Sequence, residues 1–227
     1  MPGRFSLTVD TNGLQEAFPW LKYVPDGFRP RYNIAPTSPV AVILNEKNNH
    51  LDSVSWGLIP AFSNKVKMTT FLTNARAEGI ERKSSFRSPF KRRRCLVLAD
   101  GYYEWVKIPR KKEKIPYYVH LKSRQPFAFA GLWDSWESID GSEVKTCCFI
   151  TCEPNELVAQ IHHRMGVILL EKDFETWLQP DEADPKALLP LLKPFPAEEM
   201  AYYQVSTLVS NARNDSPECI VPVEEAK

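Results

Sequence analysis

Short runs of apolar and β-branched residues, separated by turn-forming residues, recur along the first two thirds of the chain. Runs of this length and composition predict strands rather than helices. The predicted strands span residues 39–45, 53–58, 68–73, 95–99, 117–121, 127–133, 144–152 and 167–170. The basic stretch 107–114 predicts a hairpin tip between two strands.

Helical signals are short and lie mainly in the last third. The predicted helices span residues 14–21, 155–162 and 172–178, with another beginning at 184. Pro19 interrupts the first, Asn155 is a suitable cap, and Asp184-Pro185 is a cap followed by a first-turn proline. This order of elements predicts an α+β fold: a single compact domain with a mainly antiparallel β core and short flanking helices.

Composition places the chain among ordinary globular proteins. It has 227 residues, of which 43% are hydrophobic and 25% charged, enough for a core without disulfides or metal. We assign residues 1–222 to the domain and 223–227 to a C-terminal tail. The net charge is +1, so a nucleic-acid surface would have to come from local clustering of basic residues.

The cysteines and the N-terminus indicate the compartment. The five cysteines form no zinc-binding pattern, which is typical of reduced, buried thiols in an intracellular protein. No signal peptide is apparent, and no apolar run approaches the roughly 20 residues needed to span a bilayer. We therefore expect a cytoplasmic monomer with no metal, cofactor or membrane partner.

Seven short motifs then stand in order along the chain. They are MPGRF (1–5), RYNIAP (31–36), WGLIP (56–60), TNARAE (73–78), ADGYYEW (99–105), IHHRM (161–165) and VSTLVSN (205–211). Each is weak alone. Together, in this order and spacing, they resemble the SOS-response-associated peptidase family over roughly residues 1–222.

The resemblance implies a chemistry and a set of site residues. In that family the second residue is a cysteine, exposed once Met1 is removed, whose amine and thiol capture the aldehyde of an abasic sugar in single-stranded DNA as a thiazolidine. The family's asparagine, glutamate and histidine around that junction correspond to Asn74, Glu104 and His162. The family's phosphate-binding arginines correspond to Arg4, Arg76 and Arg164, and its aromatic wedge against bases suggests Phe62, for which ordinary core packing is an equal alternative.

Two positions depart from the family pattern. Pro2 replaces the nucleophilic cysteine, so no thiazolidine can form. Its secondary amine, free after loss of Met1, could instead form an iminium with the aldehyde and support β-elimination. Gly166 replaces a proline, which is expected to loosen a turn.

Three functional hypotheses remain open. The first is a covalent abasic-site enzyme acting through Pro2, associated with the nucleoid when bound to DNA. The second is a non-covalent single-strand or damage-binding protein with a lost nucleophile. The third is a peptidase acting on protein, for which a cysteine would need a neighbouring histidine.

Several residues also have simpler interpretations. Glu104 could be a strand residue facing water, although burial among aromatic side chains would raise its pKa and suit proton transfer. Asn74 could be a turn residue. His162 is assigned as the acid that opens the sugar, whereas His163, expected to point in a different direction, is read as structural. The basic run 91–94 is typical of a solvated surface that could extend a DNA-binding field.

Overall fold

The computed structural model describes residues 2–47, 49–63, 71–110, 113–137 and 139–223. Its strands are β1 Arg4–Leu7, β2 Arg31–Ile34, β3 Pro39–Leu44, β4 Asp52–Trp56, β5 Asn74–Arg76, β6 Arg94–Ala99, β7 Gly101–Lys107, β8 Lys114–Leu121, β9 Phe127–Glu137, β10 Glu143–Cys152, β11 Met165–Gly166, β12 Ile168–Leu169 and β13 Met200–Gln204. Its α-helices are α1 Thr11–Ala17, α2 Arg87–Arg92, α3 Phe174–Trp177 and α4 Pro185–Leu188. The predicted α+β class with a mainly antiparallel core is confirmed.

Most predicted strands are present, and the differences have local causes. The apolar runs at 39–45, 53–58, 95–99, 117–121, 127–133 and 144–152 correspond to β3, β4, β6, β8, β9 and β10. Of the predicted strand 68–73, residues 68–70 lie outside the described residues. The strands β1 and β2 were missed because each has four residues and begins with an arginine, which hides the apolar pattern.

Two sheets make up the fold. The first has the order β13-β8-β7-β1-β2 and is antiparallel throughout. In the second, β10, β4, β3, β6 and β9 form a ring that closes through the pairing of β9 with β10. Only β4 and β5 pair in parallel with β10 among the described strands.

An aromatic cluster joins the two sheets. The ring of Phe5 from β1 packs edge-on against Trp56, with ring centroids 5.1 Å apart. Phe149 stacks on both Trp56 and Phe129, at 5.1 and 4.8 Å. Each such pair contributes about 0.5–1.5 kcal/mol beyond its buried area. Trp56 is completely buried, and β1 is fixed to the core through Phe5.

A buried carboxylate fixes β1 further. Ser6 Oγ donates to Asp100 Oδ1 at 2.6 Å, and the Thr8 backbone N–H and hydroxyl donate to Asp100 Oδ2 at 2.5 and 2.6 Å. Hydrogen bonds to a charged acceptor are each worth about 1.5–3 kcal/mol. Asp100 and Phe5 together fix the position of β1. Pro2 and Gly3, which directly precede this strand, therefore have a defined position.

The helical predictions were right in kind but not in extent. The helix α1 begins three residues earlier than predicted, where Asp10 Oδ1 accepts from the Gly13 N–H at 2.9 Å. The segment 155–162 contains only a 3-10 turn at Val158–Gln160, although Asn155 Oδ1 does accept from the Val158 N–H. Asp184 caps α4 as predicted.

The basic run 91–94 is not the solvated surface that the sequence suggested. Arg94 is fully buried, and its guanidinium donates to the backbone carbonyls of Phe90, Lys91, Trp177, Gln179 and Asp181. Lys91 and Arg92 pair with Glu182, and Arg93 pairs with Asp134. Two carboxylates therefore offset part of the charge of the three residues of the run that reach the surface.

Gly166 is a second correction, because it lies in β11 and not in a turn. A Cβ added there would lie 2.4 Å from Cε1 of Phe129. The glycine therefore makes room for a core aromatic ring, which is a packing role.

All five cysteines are buried and free, as predicted. No helix in the described ranges is long and apolar enough to cross a bilayer.

Candidate active site

Pro2 contacts the second sheet through Asn74 of β5. Pro2 is buried, and its carbonyl oxygen lies 3.4 Å from Asn74 Nδ2, which also donates to Thr73 Oγ1 at 3.1 Å. Asn74 is fixed because β5 pairs in parallel with β10 opposite Phe149. Asn74 Oδ1 is buried with no hydrogen-bond donor in the described part of the chain, so it can accept one more hydrogen bond.

Glu104 lies in the middle of β7. Arg4 pairs with Tyr103 in the antiparallel register of β1 and β7, so continuing that register by one residue sets Gly3 opposite Glu104. The side chain is 4% exposed, and burial raises its pKa to about 7. The simple interpretation of Glu104 as a water-facing strand residue is therefore wrong. A carboxyl group with this pKa can both accept and donate a proton near neutral pH.

His162 faces Glu104 across the site. Its Nδ1 is 3.7 Å from Glu104 Oε1 and 3.0 Å from both the backbone N and O of Arg164. Burial lowers the pKa of His162, so the imidazole is mainly neutral at pH 7. Glu104 and His162 thus form a close pair of groups that can exchange protons with a bound substrate.

Adjacent residues were expected to point their side chains in different directions, but His163 lies against His162. The two rings stack with centroids 4.4 Å apart and an interplanar angle of 28°. His163 is exposed and covers one face of the His162 ring. This contact limits the orientations that the His162 ring can adopt.

Arg4 is held by groups from two of the sequence motifs. Its Nη1 donates to Asn33 Oδ1 at 2.8 Å and to the Val209 carbonyl at 3.0 Å. Asn33 Nδ2 in turn donates to the carbonyls of Val209, Asn211 and Asn214. Residues of motifs RYNIAP and VSTLVSN therefore fix the position of the Arg4 side chain, a role that the sequence did not indicate.

Arg164 is engaged more completely. It is 8% exposed, and its Nη1 and Nη2 donate to the two oxygens of Glu78 at 2.6 and 2.9 Å. Nη2 also donates to the Thr151 carbonyl at 2.6 Å. In this conformation both terminal nitrogens are bound to protein groups, so a phosphate would have to share or displace them.

Arg76 and Phe62 are the two predicted DNA-binding residues that face solvent. Arg76 is exposed at the end of β5 and makes no side-chain ion pair with any described residue. Phe62 is 70% exposed, which excludes the alternative of core packing. An exposed guanidinium and an exposed ring are suited to phosphate contact and to base stacking, respectively.

Two cavities differ in their relation to these residues. One of about 440 Å³ lies between the 25–31 segment and β3–β4 and includes none of the predicted site residues. A shallower one of about 380 Å³ is lined by Gly3, Arg4, Trp105, Lys114 and Ser210. The cavity lined by Gly3 and Arg4 is the one that adjoins the candidate site, because Gly3 directly follows Pro2. Among the described residues, no group of three or more histidine, cysteine, aspartate or glutamate side chains could hold a metal ion.

The fold and the site define a protein whose N-terminal segment contacts an asparagine and lies opposite a buried glutamate that is paired with a histidine. The model of the SOS response associated peptidase (SRAP) family matches residues 1–212, so the chain belongs to that family. It is 42% identical over 222 residues to abasic site processing protein YoqW of Bacillus subtilis, covering 97% of this chain and 99% of that protein.

More distant relatives agree with this assignment. Abasic site processing protein HMCES of Gallus gallus is 34% identical over 248 residues, which cover 95% of this chain and 72% of HMCES. A crystal structure of a protein from Bacteroides thetaiotaomicron superposes with a TM-score of 0.85 at 28% identity, covering 97% of this chain and 99% of that one.

Proposed function

We propose that this protein processes abasic sites in single-stranded DNA in the DNA damage response, engaging the sugar aldehyde through the amine of Pro2. We propose further that it acts as a monomer in the cytoplasm, at the nucleoid when bound to DNA. The observations that carry the proposal are the contact of the Pro2 carbonyl with Asn74, the close pair of Glu104 and His162, and the sheet register that sets Gly3 opposite Glu104. Relatives named abasic site processing proteins support the substrate.

The first step is formation of an iminium. After removal of Met1, the Pro2 nitrogen is a secondary amine, whose neutral fraction at physiological pH can attack an aldehyde. The nitrogen bonds to C1′ of the ring-opened sugar, and protonation of the hydroxyl lets it leave as water. Asn74 Oδ1, a buried acceptor without a donor in the described chain, is available to orient the amine.

The second step is β-elimination. The positive iminium nitrogen acidifies the C2′ proton, which Glu104 as carboxylate or neutral His162 removes. The electron pair forms the C1′–C2′ double bond of an enamine, whose electrons then expel the 3′ phosphate and cut the strand. Water hydrolyses the remaining iminium, which releases the unsaturated aldehyde and restores the Pro2 amine. A thiazolidine would lack this electron sink and would leave the strand intact.

The geometry of the groups supports this division of roles. The pKa of Glu104, raised by burial to about 7, leaves it partly ionised at neutral pH. Loss of one acid–base group typically reduces the rate about 10²-fold. Glu104→Gln and His162→Ala should therefore each slow strand cleavage by about that factor.

Single-stranded DNA is the proposed substrate form because two of the proposed DNA contacts, Arg76 and Phe62, are exposed side chains suited to phosphate and to unpaired bases. A single strand can bend to expose its sugar, and its bases can stack on an exposed ring such as Phe62. Arg4, Arg76 and Arg164 are the proposed phosphate contacts, with Arg76 the one whose side chain is exposed.

The competing hypotheses differ in what supports them. The replacement of the family's cysteine by Pro2 favours a binding-only protein as the second candidate. A cysteine peptidase has little support, because burial raises the pKa of Cys95, Cys147, Cys148 and Cys152, which disfavours the thiolate. Cys219 is also fully buried.

A borohydride trap with an abasic single-stranded oligonucleotide tests the proposal. Intact mass first establishes that Met1 is absent. The expected result is a reduced adduct that maps to Pro2, together with strand cleavage when borohydride is omitted. An adduct without cleavage would indicate a reversible shield. Neither adduct nor cleavage in protein that lacks Met1 would leave the binding-only function.

A further inference from the structure

The β7–β8 hairpin carries basic residues on the same sheet face as Arg4. In the register of the sheet, Arg4 pairs with Tyr103, and Lys107 pairs with Lys114. Side chains two and four residues apart on a strand share a face, so Tyr103, Trp105 and Lys107 align with Arg4. Lys107 and Lys114, the hairpin lysines, therefore extend from Arg4 along one face for about 13 Å, at about 3.3 Å per residue.

The hairpin lysines are directly opposite each other, and neither makes an ion pair with a described residue. Like charges in such a cross-strand pair are destabilising. Some other basic residues have carboxylate partners, such as Glu182 for Arg92 and Glu46 for Lys145. The hairpin lysines therefore form a positive surface that no carboxylate among the described residues neutralises.

This surface is continuous with the candidate active site. Lys114 lines the same 380 Å³ pocket as Gly3, Arg4 and Trp105. Gly3 directly follows Pro2, so the pocket begins at the N-terminal residue, whereas the side chain of Glu104 points to the face of β7 opposite to Trp105. A polymer bound at Pro2 that leaves the site through this pocket would next meet Lys114 and then Lys107. A small substrate confined to the catalytic residues would not reach either lysine.

We propose that the hairpin lysines bind the phosphates of the DNA strand on one side of the lesion, outside the catalytic pocket. The inference rests on the proposed function, because it requires a strand that passes through the site. It assigns the hairpin a role in affinity for longer strands and none in the chemistry. Lysine suits this role because it contacts phosphate as a point charge without reading sequence.

The test uses the full-length protein with three abasic oligonucleotides. One has flanks of about two nucleotides, and the others extend either the 5′ or the 3′ flank to about eight. The double variant Lys107→Gln/Lys114→Gln is compared with wild type and with Lys172→Gln/Lys186→Gln, which removes the same charge from exposed positions elsewhere. Kd is measured across a salt series, and the trapped adduct is quantified on the short oligonucleotide.

The expected result is specific to one flank. On one extended oligonucleotide, the hairpin variant should bind more weakly, and its slope of log Kd against log salt should fall by about 1.4, or about 0.7 for each phosphate contact. The other extension, the short oligonucleotide and the control variant should behave as wild type. Equal behaviour of the two double variants on both extensions would overturn the proposal, as would an equal loss on all three oligonucleotides.

The adduct on the short oligonucleotide separates the two proposals. If wild-type protein forms no adduct, the covalent function fails irrespective of the hairpin. If the adduct forms equally in wild type and the hairpin variant but no flank dependence appears, only the hairpin inference fails.

Discussion

Glu104 Oε1 and His162 Nδ1 lie 3.7 Å apart, one on the central strand β7 and the other beyond the 3-10 turn at Val158–Gln160. Burial raises the pKa of Glu104 to about 7 and lowers that of His162 from its ordinary value, so the carboxyl group holds its proton more tightly than the imidazole does. A carboxyl group that can be protonated beside a neutral imidazole supplies both an acid and a base to one reaction cycle.

The raised pKa of Glu104 predicts a stability cost that depends on pH. The folded protein holds this proton up to about pH 7, whereas an ordinary glutamate loses it near 4.5. The contribution of Glu104 to stability therefore falls as pH rises from about 4.5 to 7. Glu104→Gln cannot ionise, so above pH 7 it should increase the free energy of unfolding by up to about 3 kcal/mol.

Denaturant unfolding of wild type and Glu104→Gln at pH 4 and pH 8 checks this prediction. The difference should be small at pH 4 and large at pH 8. Glu175→Gln, at an exposed position, serves as the control and should show no such change. A Glu104→Gln protein that is less stable than wild type at pH 8 would contradict the assigned burial cost.

Arg76 and Arg164 should differ in what their removal does. Arg164 is buried and bonded to Glu78 and Thr151, so Arg164→Ala should lower the free energy of unfolding by about 1–3 kcal/mol. Arg76 is exposed, so Arg76→Ala should change stability by less than about 0.5 kcal/mol. It should nevertheless weaken single-strand binding and reduce the salt slope by about 0.7.

Thermal unfolding and a salt series of binding on the two variants distinguish these effects. Wild-type affinity and slope in Arg76→Ala would remove Arg76 from the phosphate contacts. Wild-type stability in Arg164→Ala would show that the bonds to Glu78 and Thr151 contribute nothing net to the fold.

Phe62 should contribute to DNA binding and not to folding. Its ring is 70% exposed, and stacking of one base on an aromatic side chain contributes about 1–3 kcal/mol. Phe62→Ala should therefore weaken single-strand binding by about tenfold or more, with unfolding unchanged. Ile139→Ala, which removes a side chain that is 75% exposed, is the matched control and should bind as wild type does.

The sequence predicted the elements with continuous apolar runs, because such runs reflect burial directly. It missed what depends on contacts between distant segments. Arg94 reads as one of four consecutive basic residues, yet carbonyls from the 177–181 segment surround it. Its burial follows from the packing of α3 near β6, which no local pattern encodes.

The site shows the same division. The ordered motifs identified Asn74, Glu104 and His162 as candidates, and the fold places Asn74 against Pro2 and Glu104 beside His162, although their roles stay predictions. Asn33, which accepts a hydrogen bond from Arg4, and Glu78, which pairs with Arg164, also lie within the seven motifs. Their role in positioning the two arginine side chains could not be assigned, because a motif names a residue but not its hydrogen-bond partner.

Pro2→Cys provides the sharpest test of whether the site is otherwise intact. Wild type has no thiol at this position, so any adduct with an abasic oligonucleotide should be an iminium, which hydrolyses on heating without a reductant. A cysteine amine and thiol together can close a thiazolidine on the same aldehyde. Pro2→Cys should therefore give an adduct that survives heat denaturation without borohydride, and strand cleavage should fall.

The comparison is informative because Asn74, Glu104 and His162 remain in both proteins. Pro2→Ala, with a primary amine and no thiol, is the matched control and should give an adduct only with borohydride. Intact mass of all three proteins must show that Met1 is absent, because a retained methionine blocks the amine. A heat-stable adduct in wild type would contradict the iminium. Its absence in Pro2→Cys would mean that the other site residues no longer bind the sugar, and the protein would then act by binding alone.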